Sequence, residues 1–151
     1  MTARIRLLWL LEVVPFVVLP LLTIAQIQPE PWYSSHAFFH IVYLPIIATT
    51  VLVAAGLARL PEAPRSIRWL ARTTVVLQAV AAIGHLGELT AVARYGGFGA
   101  GEEIYERPGH EVFANLAVPS LALSILVLLV MTGIALRERF WQSQIKEKGV
   151  A

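Results

Sequence analysis

The chain has 151 residues, of which 57% are hydrophobic and 15% charged, with a formal net charge of +2. Apolar content this far above globular averages, with so little charge, excludes an ordinary soluble domain. Cysteine is absent, which excludes internal disulfides, thiolate metal sites and a cysteine nucleophile.

The first apolar segment runs from about Leu7 to Ile27, after Arg4 and Arg6. Its basic start and the triplet Thr23-Ile24-Ala25 resemble a cleavable signal peptide. Glu12 inside the run and a length sufficient to cross a bilayer favour a retained transmembrane helix, kinked at Pro15 and Pro20. Glu12 lies toward the basic end, where a buried ion pair with Arg72 is expected; the alternative is a proton or cation site in a transport path. The Pro-rich loop Gln28 to Ser35 carries Trp32 and Tyr33, residues suited to a membrane interface, and Ser34 or Ser35 is placed to cap the next helix.

The second helix is expected over His36 to Leu57, opening with HAFFH. His36 and His40 are four residues apart and share a face, which continues through Tyr43 and Thr50. Pro45 should bend this helix. A basic, proline-containing loop follows, Ala58 to Ser66.

The third segment enters with Arg68, Trp69 and Arg72 and leaves at Arg94. Between Thr73 and Ala93 its only ionisable residues are His85 and Glu88. An ionisable group in such a run is costly to dehydrate and is a functional-site candidate by default. The two are spaced i,i+3 on one face, with Gln78 two turns below. Ala81, Ala82, Gly84 and Gly87 beside them admit the close approach of another helix or of a flat cofactor.

The loop Tyr95 to Gly109 is rich in glycine and acidic residues, and forms either a flap or a cap over the helix ends. Its GxG pattern lacks the strand and βαβ unit of a dinucleotide site. The fourth helix begins near Pro108 and has no charge from Val112 to Leu136. His110 and Glu111 stand at its mouth, Asn115 one turn deeper, and the mixed-charge tail 137–151 reads as a solvated, fraying helix.

These elements predict an all-α membrane protein, a single four-transmembrane-helix bundle over residues 1–151. Ten of the twelve Lys and Arg fall at the N-terminus, the second loop, the start of the third helix and the tail; only Arg94 and Arg107 fall on the other side. This bias places both termini in the cytoplasm, in the cell inner (plasma) membrane, and explains the basic character without a nucleic-acid partner. It also puts all four histidines, with Glu88 and Glu111, in the outer half of the bundle. His85 then lies ~13 Å below the outer end of its helix and His40 ~6–8 Å below its own, a mismatch of roughly one turn.

Three chemistries suit that group. His40, His85, His110, Glu88 and Glu111 are ligand types for zinc, copper or non-haem iron. Alternatively His40, His85 or His36 binds a haem iron axially, with Gly84 and Gly87 making room for the macrocycle. Without any cofactor, His85 and Glu88 form an acid–base pair acting on a lipophilic substrate. Against these stand plainer readings: interfacial polar residues for His36 and His110, and a packed hydrogen-bonded pair for His85 and Glu88. No strict ligand motif such as HExxH occurs.

A histidine opening the second helix (SSHAFFH), a Gly/Pro-rich outer loop, and a fourth helix with an early proline (RPGHEVFANLAVPS) together resemble the layout of the styrene oxide isomerase family. Those are small four-helix membrane proteins that bind haem b and rearrange epoxides to aldehydes. The resemblance implies haem b, with His36 or His40 as its ligand. Where that family carries a tyrosine on the third helix, His85 stands here. The expected function is an isomerase or redox protein with a haem or metal site, acting on a small lipophilic molecule. The alternatives are an accessory subunit of a larger membrane complex, a metal-free acid–base isomerase or hydrolase, and a small transporter using Glu12 and Glu88. Four helices make a thin wall around a polar site, so a homo-oligomer or a larger complex is expected in every case.

Because the chain has no cysteine, topology is testable with single introduced thiols. Ser35→Cys and Gly99→Cys should react with an impermeant thiol reagent from outside intact cells, and Ser143→Cys should not. The reverse pattern would overturn the orientation.

Overall fold

The computed structural model describes the backbone of residues 32–94 and 108–148, and the side chains of residues 40–94 and 109–138. Three helices account for the described residues: α1 (Trp32–Arg59), α2 (Arg65–Arg94) and α3 (Pro108–Lys148). They correspond to the second, third and fourth segments anticipated from the sequence. The first segment, with Glu12, and most of the Tyr95–Gly109 loop lie outside the described residues. All three helices are long and apolar enough to cross a membrane.

The helix starts differ from expectation. The stretch Trp32 to Ser35 is helical, so neither serine sits at the helix start, and α1 begins four residues before His36. The chain turns from α1 to α2 in five residues, Leu60 to Pro64. Its amides are used locally: Leu60 N donates to Leu57 O, and Ala63 N donates to Leu60 O. The Arg68 guanidinium donates to the carbonyls of Pro61 (2.8 Å) and Ala63 (3.0 Å). A short turn whose carbonyls are closed by a cation fixes α1 and α2 as an antiparallel pair. The tail remains helical through Lys148, as anticipated.

Helix α2 is the central element and packs against both of the others. Near the Arg59/Arg65 turn the filling is apolar, with Leu57, Ile67, Ala71 and Met131 in one cluster. Further along, Tyr43, Ile47 and Ala81 form a second cluster, with Leu121 against it. The outer surface is apolar as well: Leu52 is 73% exposed, Val118 66% and Val76 62%. Meanwhile, among the described residues, nine polar or charged side chains are buried, including His40, Gln78, His85, Glu88 and Ser124. A surface of branched aliphatics around a polar interior suits a lipid surrounding, where helices associate through close packing and internal polar contacts.

Close packing depends on Gly84. A Cβ there would meet the Ala117 Cβ, the Ala117 amide nitrogen and the Phe113 carbonyl oxygen, each at 2.8 Å. A Cβ at Gly87 would collide with the Phe113 ring. The sequence left two uses for these glycines, and the structure selects the helix: α3 fills the space. Gly133, by contrast, faces open space. Gly84→Ala should therefore destabilise the protein by about 1–3 kcal/mol, because backbone atoms of α3 must move. Gly133→Ala should be neutral or stabilising by up to ~1 kcal/mol. Thermal melts in detergent will show whether the two substitutions separate in this direction.

Candidate functional site

The face of α2 that meets both neighbours carries Gln78, Ala81, His85 and Glu88, all buried. Three residues apart on α1, His40 and Tyr43 share a face, and Tyr43 turns its ring toward α2. His40 and Tyr43 are 1% and 0% exposed. The early start of α1 settles the depth mismatch. His40 lies eight residues from Trp32 and His85 nine residues from Arg94, so both sit ~12–13 Å from their helix ends.

The two imidazoles touch. Nδ1 of His40 is 2.8 Å from Nδ1 of His85. The Nε2 of His40 lies 3.3 Å from Glu88 Oε2. From α3, His110 places its Nε2 3.2 Å from the same carboxylate oxygen, within ion-pair reach though not aligned as a hydrogen bond. The result is a chain, His85–His40–Glu88–His110, built from all three helices. Tyr43 covers the His85 ring, with centroids 4.8 Å apart.

One assignment of protons satisfies an ionised Glu88 with neutral rings. His40 donates from Nε2 to the carboxylate, so its Nδ1 must accept, and His85 donates from Nδ1. In that assignment the Nε2 of His85 carries no proton. The second ring nitrogen of each histidine is thereby set by the bond its first one makes.

His40, His85 and Glu88 also form a group in which one ligand atom from each lies within 4.8 Å of the others. Metal–nitrogen bonds of ~2.0–2.1 Å separate two ligands on a tetrahedral ion by roughly 3.3 Å. The imidazole pair would open slightly and the longer separations would close by rotamer adjustment. Two histidines and a carboxylate are the donor set of several zinc and non-haem iron sites. A macrocycle between His40 and His85 fits less well. Their ring centroids are 5.0 Å apart, and Phe113 and Ala117 occupy the space beside Gly87 and Gly84.

Of the residues singled out in the sequence, His40, His85, Glu88 and His110 are brought together. Glu111 is exposed and stays outside the group. A step of one residue turns about 100° around a helix, so His110 and its neighbour cannot both face the interior. His36 belongs to α1, but its side chain lies outside the described residues. Tyr43 was visible in the sequence only as part of the His40 face. Its spacing of three from His40 was the signal that it belongs to the site. Arg72, expected to meet Glu12, is exposed and stacks over Trp69 at 5.3 Å.

No family model, curated protein or solved structure matches the chain. Fold and site define its class without one. The described residues are helical, in helices of membrane-spanning length and composition, and they bury a His/Glu group that could hold a metal ion.

Removing the shared carboxylate should strand buried ring nitrogens. Glu88→Ala is expected to destabilise the protein by about 1–3 kcal/mol. The double variant with His40→Ala should cost less than the sum of the two single changes, with a coupling of at least ~1 kcal/mol. Additive losses in detergent melts would mean that the two residues do not interact.

Proposed function

We propose that this protein is an integral membrane protein of the cell inner membrane that holds a transition-metal ion at His40, His85 and Glu88. His110 serves as a fourth ligand or as the partner that orients Glu88. The observation that carries this reading is the buried convergence of three imidazoles and one carboxylate from three helices. The donor set supports zinc or non-haem iron, and the tight space between His40 and His85 favours a bare ion over haem. With both termini cytoplasmic, as the basic residues favour, the site lies toward the outer face.

An ion at this position supplies Lewis acidity toward an oxygen of a small lipophilic molecule that reaches the site from the bilayer. The protein's own groups supply the rest. Glu88 sets the His40 tautomer, His110 stands beside the Glu88 carboxylate, Tyr43 packs on the His85 ring, and the apolar helix faces exclude bulk water. An isomerisation such as an epoxide rearrangement fits this chemistry. A homo-oligomer or a larger membrane complex would thicken the wall around the site.

The 2.8 Å imidazole contact favours a second reading, in which no ion is held. There the His85–His40–Glu88 chain carries protons, and His85 Nε2 is the base.

The purified protein distinguishes these by its absorption spectrum and elemental analysis. The proposal expects about one zinc or iron per chain and no Soret band. His40→Ala and His85→Ala should each abolish the metal, Glu88→Gln should weaken it at least tenfold, and His36→Ala should be mild. Metal-free protein whose turnover still requires Glu88 would support the proton chain, whereas a Soret band would return the site to haem. If His85→Ala leaves metal, spectrum and turnover unchanged, both readings fail.

A further inference from the structure

One turn beneath the Tyr43, Ile47, Ala81 and Leu121 layer, in the same direction on each helix, come Thr50, Gln78 and Ser124. The antiparallel helices therefore place these three at one depth, ~10 Å further into the bundle than His85. All three are 0% exposed. They differ in how they are satisfied. Thr50 donates to the Ile46 carbonyl of its own helix at 2.9 Å, as Thr74 does to Leu70 and Ser120 to Leu116. Among the described residues, however, neither amide atom of Gln78 nor the hydroxyl of Ser124 has a hydrogen-bond partner.

Three buried polar atoms from two helices, left open at one level, are costly in a hydrocarbon surrounding. A carboxamide offers both donors and an acceptor, and the serine hydroxyl offers one of each. We infer that Gln78 and Ser124 form a second binding site, distinct from the histidine cluster, that takes a neutral hydrogen-bonding group. The chemistry required is that of a hydroxyl or a carbonyl, because a charge at this depth would have no counter-ion among Thr50, Gln78 and Ser124. Two sources supply it: a buried water, or the polar end of an uncharged lipophilic molecule whose apolar part lies between the helices. The site stands whether or not an ion binds above it.

The test uses the full chain purified in detergent, with Gln78→Met, Ser124→Ala and the double variant. Methionine nearly preserves the volume of glutamine and removes its polar atoms. An occupied site predicts that each single change lowers Tm by about 3 °C and that the double variant loses less than the sum. Melts with 1-decanol and with decane separate the sources. Stabilisation by 1-decanol alone, lost in the double variant, identifies a ligand hydroxyl. No decanol effect, together with magnetisation transfer from water to the Gln78 side-chain amide, identifies a buried water. A rise in Tm for Gln78→Met would mean that an orphaned amide has been removed from a dry interior, and would overturn the inference. Additive single effects, or the absence of both the decanol and the water signals, would overturn it too.

Discussion

The structure depends on a carboxylate in an apolar bundle. Glu88 is 4% exposed, and an isolated carboxylate at that depth is costly enough to lose its charge or find a partner. It finds two, with the same oxygen 3.3 Å from His40 and 3.2 Å from His110. Because those histidines come from α1 and α3, one carboxyl group on α2 ties all three helices to one register. Leucines at the same positions would pack at many rotations, whereas this group is satisfied at one. Gly84 makes the contact reachable by letting the α3 backbone approach α2 directly. The polar cluster and the close helix crossing are therefore one feature, since neither is useful without the other.

The inside-out polarity of the bundle follows from the same constraint. Aliphatic side chains cost nothing against lipid, so Leu52, Val76 and Val118 point outward, while polar groups must meet one another within. Hydroxyls at Thr50, Thr74 and Ser120 answer this locally by donating to a carbonyl four residues back. The imidazoles and Glu88 have no such local solution and answer it across helices. This division separates residues that tolerate the membrane from those that organise a site in it.

Much of this was legible in the sequence, for physical reasons. Runs of apolar residues must be helical in a bilayer, so the three described helices were visible, and the i,i+3 spacing placed His85 and Glu88 on one face. The start of α1 was missed because Pro-Trp-Tyr-Ser-Ser carries loop chemistry in isolation, yet Trp32 to Ser35 are helical. That four-residue shift is what brings His40 level with His85. The ambiguity at Gly84 and Gly87 could not be resolved from sequence, since a glycine face suits a helix and a cofactor equally; the positions of Ala117 and Phe113 decide it. His110 and Glu111 are adjacent and chemically equivalent as ligands on paper, and only the rotation of α3 separates them. The predicted first segment, with Glu12, lies outside the described residues.

The most direct test of the central claim reads the histidines themselves. The chain has four, so selectively ring-15N-labelled protein in micelles gives few enough signals to assign by substitution. The metal-free protein should show a nitrogen–nitrogen coupling across the hydrogen bond between the Nδ1 atoms of His40 and His85. It should vanish in His85→Ala, and the His40 and His110 signals should both move in Glu88→Gln. Four independent imidazoles, with no coupling and no response to Glu88, would contradict the account.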